Sequence, residues 1–116
     1  DLGPRLLEAQ LCVDLLHLIR SGGTPADVAA ADPKLIYSVQ LCDSLDLSAT
    51  ADYGMEAGVK RLAPGEGKFP TVEFLKALPA GMPLELEVPQ LPESPALERV
   101  KAIVAAARQQ IALAGL

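Results

Sequence analysis

Three short apolar runs alternate with three helical patterns, and this alternation constrains the fold more than any other feature of the chain. The runs lie near residues 10–16, 35–41 and 84–88. The middle one is rich in β-branched and aromatic residues, as a strand requires. A helix is predicted over 24–31, where Thr24 can cap, Pro25 suits the first position and Asp27 can complete a capping box. Asp32-Pro33 ends it. A second helix is expected from 69 to 78. A third runs over 94–114, with Leu97, Val100, Ile103, Val104 and Ile111 at helical spacing. The order strand, helix, strand, helix, strand, helix implies parallel strands with crossover helices, an α/β architecture. Residues 43–67 read as one long loop of small, polar and glycine residues, a length usually reserved for function or movement.

In open parallel sheets the ligand lies at the carboxyl ends of the strands. Asp14, Gln40 and Glu87 lie toward those ends. Such groups are costly to bury inside apolar runs unless something pairs with them. Three of them on parallel strands could converge on one bound cation. The alternatives stay open at this point. Asp14 could cap a helix or form a loop salt bridge, Gln40 could hydrogen-bond within the sheet, and Glu87 could pair with a surface lysine.

Composition excludes several classes. The chain of 116 residues favours one domain, 1–116. Half of the residues are hydrophobic but aromatics make up only 3% and Trp is absent, so the core must be aliphatic. A net charge of −5 without a Lys/Arg stripe disfavours nucleic acid. No apolar run reaches the ~18 residues of a membrane span, and no signal peptide is visible. Cys12 and Cys42 read as free thiols acting as small hydrophobes, and the cytoplasm is the expected compartment. The chain opens with Asp1 rather than Met, which suggests that it begins inside a longer gene product.

The ordered set V-D-L-L-H-L-I-R-S-G-G-T-P-A-D, V-Q-L-C-D, R-L-A-P-G-E-G-K-F and L-E-V-P resembles the sugar phosphate isomerase/epimerase family, the xylose isomerase-like TIM barrels. The resemblance covers nearly the whole chain and matches strands six to eight of the barrel, its C-terminal part. It implies that Asp14 is a metal ligand and that His17 contacts a substrate oxygen. It puts Gln40 where many members have a metal-binding His. It implies that Arg61, before the P-G-x-G turn, holds substrate or its developing oxyanion, and that Glu87 is a metal ligand that also moves protons. His17 could instead be structural, and Arg61 a solvated loop residue.

The chemistry implied is removal of a proton next to a carbonyl, with the developing negative charge stabilised where it forms. A divalent ion would act as Lewis acid and template, and Glu87 would accept and return the proton. Asp14, Gln40 and Glu87 make an all-oxygen set, which favours Mn²⁺ or Mg²⁺. Arg20 with Gly22-Gly23 could bind a substrate phosphate or carboxylate, or the glycines could simply turn the chain. Strand alternation puts Glu85 on the face of Glu87, as a partner of the site, and turns Cys12, Ser38 and Cys42 inward.

A TIM barrel has eight strands in typically ~250 residues, whereas three strands are readable here. The missing N-terminal barrel portion is therefore an expected partner. A homo-oligomer covering the open edges is expected if the chain is stable alone, and the lone chain should be inactive. The leading reading is a metal-dependent isomerase or epimerase of a sugar or polyol-like substrate. A dehydratase of the same barrel family is the main alternative, because such enzymes can carry Gln at the strand-seven position. A non-catalytic barrel fragment is another alternative. A DNA-repair endonuclease of this barrel type would need more His and a basic face.

Overall fold

The computed structural model describes residues 10–47, 52–91 and 93–116. Three strands, β1 (Leu11–Asp14), β2 (Ile36–Leu41) and β3 (Leu84–Leu86), pair in the order β1-β2-β3, all parallel. The sheet is not closed. Helices α1 (Leu15–Arg20), α2 (Pro25–Ala30), α3 (Tyr53–Val59) and α4 (Thr71–Ala77) fill the connections, and α5 (Ala96–Leu113) follows β3. A 3₁₀ turn, Pro33–Leu35, leads into β2.

The strands come from the expected runs, but two boundaries differ in ways that matter for the site. The first apolar run predicts a strand extending to residue 16. Instead the chain turns helical at Leu15, because the Asp14 carboxylate accepts from the backbone N–H of Leu16 at 2.8 Å and of His17 at 3.3 Å. Capping of this kind satisfies donors that a helix start leaves orphaned. The second difference is α3, which lies in the segment that reads as one long loop. The other strand and helix bounds lie within two residues of those expected. Asp27 closes a capping box on Thr24, whose N–H donates to its carboxylate at 2.7 Å.

The core is aliphatic with two phenylalanines. Leu15, Leu16, Val28, Val39 and Leu41 pack with Phe69, Phe74 and Leu75. Helix α2 packs on α4, α4 on α5, and α5 on β3. Of the three small residues expected to face a barrel interior, Ser38 and Cys42 are buried, whereas Cys12, on the sheet's outer strand, is exposed. Among the described residues no helix is long and apolar enough to cross a membrane.

Candidate active site

Parallel register aligns the strand ends. Asp14 pairs with Gln40, and Gln40 pairs with Glu85, so these three form one row across the sheet. Glu87 follows two residues later, just past β3, and its N–H donates to the carbonyl of Leu41 at 3.1 Å. At this rim Arg61 reaches in from the segment after α3. Its Nη1 donates to Asp14 Oδ2 at 2.6 Å and to the Glu87 carbonyl oxygen at 3.5 Å, and it approaches Cys42 Sγ at 3.7 Å. Asp14 is 8% exposed and Arg61 4%.

Arg61 is held along its whole length. Its Nε donates to the Ala57 carbonyl near the end of α3 at 2.9 Å, and its own carbonyl accepts from Gln90 Nε2 at 2.9 Å. Burial alone would lower its pKa, but the hydrogen bond and charge of Asp14 raise it overall. The guanidinium is thus a permanent cation beside a carboxylate. Burial pushes the neighbouring Cys42 thiol up to about 11 against the opposing pull of Arg61, so it stays protonated at neutral pH.

The segment carrying Arg61 is anchored by Asp43, which is fully buried. Its Oδ1 accepts from Ser44 N at 2.8 Å and Phe69 N at 2.9 Å, and its Oδ2 accepts from Gly65 N at 2.9 Å. Asp43 and Leu62 also exchange backbone hydrogen bonds, at 2.8 and 3.0 Å. Gly65 takes a positive φ of 87°, open to glycine without strain. At Gly67 a Cβ would lie 2.2 Å from the Ser44 carbonyl oxygen and 2.4 Å from Asp43 Oδ1, so no side chain fits. The P-G-E-G turn is therefore built around a buried carboxylate rather than left loose.

His17, on α1, stands over this pair. Its Nε2 lies 3.4 Å from Arg61 Nη2 and 3.8 Å from Asp14 Oδ2, and its Nδ1 hydrogen-bonds the Tyr53 hydroxyl at the start of α3. Gln40 makes a separate contact, donating from Nε2 to Glu85 Oε2 at 3.2 Å. Asp14, His17, Arg61 and the backbone of Glu87 are thus brought together, and Gln40 sits beside Asp14 in register.

Arg20 departs from expectation. Its Nε donates to Glu56 Oε2 at 2.7 Å and its Nη2 to Glu56 Oε1 at 2.5 Å, with Ser44 Oγ at 3.1 Å and the Asp46 carbonyl at 2.8 Å. It also stacks over Phe69, 5.4 Å from the ring centroid. The Gly22 and Gly23 N–H groups bond back to the carbonyls of Ile19 and Leu18, terminating α1. Donors committed this way do not form an anion pocket. The hydrogen bond from Arg20 holds the Glu56 carboxyl below its ordinary range, with Ser44 assisting against the effect of burial. Arg20 therefore braces α1 against α3.

The chemistry of the donor set bears on a cation. Among the described residues no three side chains of His, Cys, Asp or Glu are grouped to hold one. A set built at this rim has to include an amide, and Gln40 qualifies, since its nitrogen faces Glu85 and its oxygen carries no bond within the described residues. Arg61 already occupies one face of Asp14 Oδ2. Sequence reasoning missed Tyr53, Asp43 and Glu56. Asp43 carries the same signal as Asp14, a carboxylate at the carboxyl end of an apolar run. Tyr53 carries none.

No family model and no curated protein matches the chain. Among solved structures it is similar to a xylose isomerase domain protein from Alicyclobacillus acidocaldarius subsp. acidocaldarius, at 27% identity and a TM-score of 0.54, over 85% of this chain and 38% of that one. It is also similar to the IolI protein with a bound zinc atom, at 19% identity and a TM-score of 0.62, over 88% of this chain and 36% of that one. A xylose isomerase-like TIM barrel/4-hydroxyphenylpyruvate dioxygenase fusion protein matches at 23% identity and a TM-score of 0.66, over 87% and 16%. The last two likenesses concern the fold alone. The chain spans less than two-fifths of each of these proteins, and its three parallel strands with their helices are part of a TIM barrel, left as an unclosed sheet.

Proposed function

We propose that this chain carries the sixth to eighth strands of a xylose isomerase-like barrel that isomerises or epimerises a sugar or polyol-like carbonyl compound. The observation that carries the reading is the Arg61 guanidinium, 2.6 Å from Asp14 and 3.5 Å from the Glu87 carbonyl, at the carboxyl ends of parallel strands. That is where such folds bind ligands. Arg61 holds the substrate oxygen on which negative charge develops, and His17, half exposed at the rim, stands 3.4 Å from its Nη2 and positions it. Glu87 takes the proton from the carbon next to the carbonyl. The C–H electron pair becomes the C=C bond as the carbonyl π pair moves onto the oxygen held by Arg61, giving the enediolate. The proton then returns to the opposite face of the same carbon, or to the neighbouring carbon while the hydroxyl hydrogen passes between the two oxygens.

Asp14, Gln40 and Glu87 are the residues that would hold a divalent ion, Mn²⁺ or Mg²⁺. When bound, it would supply Lewis acidity to the substrate oxygens. The remaining barrel strands are the partner that completes the pocket. Asp14 is oriented by Arg61 and by the first turn of α1 in either case.

Gln40 favours a second reading, a dehydratase acting on a dehydroshikimate-like acid, which starts with the same proton abstraction. One experiment separates them. The full-length protein is incubated with Mn²⁺ and a panel of ketoses in D₂O, and separately with dehydroshikimate. Deuterium entering the carbon next to a ketose carbonyl supports the isomerase. An absorbing aromatic product with no exchange supports the dehydratase. Neither signal would overturn both.

A further inference from the structure

Tyr53 enters the site through His17, and the groups around that ring determine where its protons lie. We propose that Tyr53 is a substrate-contacting residue, its hydroxyl proton directed to an oxygen of the sugar or polyol-like substrate. This rests on the reading above. Two groups approach His17 Nε2. Arg61 Nη2 lies 3.4 Å away, and a guanidinium only donates. Asp14 Oδ2, the competing acceptor, is farther at 3.8 Å, outside hydrogen-bond range, and already takes Arg61 Nη1 at 2.6 Å. Nε2 is therefore the accepting nitrogen. A neutral imidazole with a lone pair on Nε2 carries its hydrogen on Nδ1, and that hydrogen goes to the Tyr53 oxygen.

The consequence falls on Tyr53. Its oxygen accepts from His17, so its own proton must point elsewhere. Among the described residues no other group hydrogen-bonds that hydroxyl. The two rings meet edge to face, with centroids 5.7 Å apart and planes at 83°, which fixes the direction of the phenol. Tyr53 is 41% exposed, so the proton is offered to the rim and not buried. Arg61 thus sets the His17 tautomer, and His17 turns Tyr53 from a donor to protein into a donor to ligand. A positioned donor of this kind stabilises charge that develops on a substrate oxygen.

Two measurements on the full-length protein test this. Long-range proton–nitrogen correlation spectra are recorded where the imidazole is neutral, with the His17 signal identified by its loss in His17→Asn. The expected tautomer carries its proton on Nδ1. Tyr53→Phe keeps the ring contact and removes the hydroxyl, and is expected to lower kcat for deuterium exchange about ten- to hundredfold while KM moves less than about threefold. A proton on Nε2 overturns the inference, as does Tyr53→Phe with unchanged kcat. Absence of exchange by the wild type would overturn the functional reading, and this is distinguishable because the tautomer is read without turnover.

Discussion

Asp14 and Arg61 lie 47 positions apart in sequence yet meet at 2.6 Å, with side chains 7% and 5% exposed. The same carboxylate caps α1 through its other oxygen. One residue thereby ties the end of β1, the start of α1 and the segment after α3 together. Removing one partner of a buried pair leaves a charge uncompensated. Asp14→Asn should keep much of the cap, since Asn caps as well as Asp, yet lose roughly 3 kcal/mol through the unpaired Arg61. Arg61→Met should cost a similar amount, and the double variant less than the sum. Urea denaturation of the four proteins measures the coupling.

The second ion pair predicts acid sensitivity. Glu56 is held below its ordinary range by the hydrogen bond from Arg20. Its unfolded counterpart protonates near pH ~4.3, above the folded one. The pair's contribution is therefore full at neutral pH, declines as pH falls past the unfolded value, and is lost below the folded one. Glu56→Gln should be less stable at pH 7 and should lose less stability than the wild type between neutral and acid pH. Thermal melts across that range check the slope.

The barrel strands are legible because runs of Leu, Ile and Val bounded by Gly and Pro leave few other options. What the runs do not encode is where extension ends. From Leu11 to Ile19 only Asp14 and His17 break the apolar character, and short apolar periodicity cannot separate strand from helix. The switch is made by the Asp14 side chain on two backbone N–H groups, a contact that sequence offers only as one option among several. Helix α3 is hidden for a different reason. Its residues, YGMEAGV, have two glycines and weak helix propensity. It forms because Glu56 is pinned by Arg20 and Ser44, partners 36 and 12 positions away. Tyr53 rides on that helix, so its meeting with His17 leaves no trace in the local pattern.

Asp43 should matter to Arg61 without touching it. Asp43→Ala removes a carboxylate that accepts from three backbone N–H groups. The expected loss is about 3 kcal/mol. Gly67→Ala attacks the same turn from outside, since its Cβ would meet the Ser44 carbonyl at 2.2 Å. It should cost roughly 1–3 kcal/mol through backbone displacement. Both variants should speed amide exchange over 62–69, next to Arg61, and leave β1 and α1 protected. Uniform protection along the chain would remove the link between this turn and Arg61.

The two thiols should behave oppositely. Cys12 is exposed and Cys42 is buried, with its pKa pushed up to about 11 by burial. Only the thiolate is an effective nucleophile. A disulfide reagent at pH 8 should therefore titrate Cys12 quickly and Cys42 only at the rate of unfolding, with both released in denaturant. Fast modification of Cys42 in the folded protein would show that its surroundings open. In that case Arg61, which contacts it, and Asp14 beyond would not be held as tightly as their distances imply.

Glu85 tests the donor set directly. It accepts from Gln40 Nε2 at 3.2 Å, which turns the amide nitrogen toward β3 and leaves the amide oxygen for the rim. Such outer partners orient a ligand and typically change metal affinity 10–100-fold when lost. Glu85 is exposed in this chain and removed from its core, so Glu85→Gln should leave the melting temperature of this chain unchanged. It should weaken Mn²⁺ binding by the full-length protein about tenfold. The introduced amide can donate to Gln40 as well as accept from it, so the Gln40 amide loses its fixed sense. Calorimetric titration of both proteins reads the difference. Equal affinities with equal stability would mean that the Gln40–Glu85 contact is a surface hydrogen bond and that Gln40 takes no part in holding the ion.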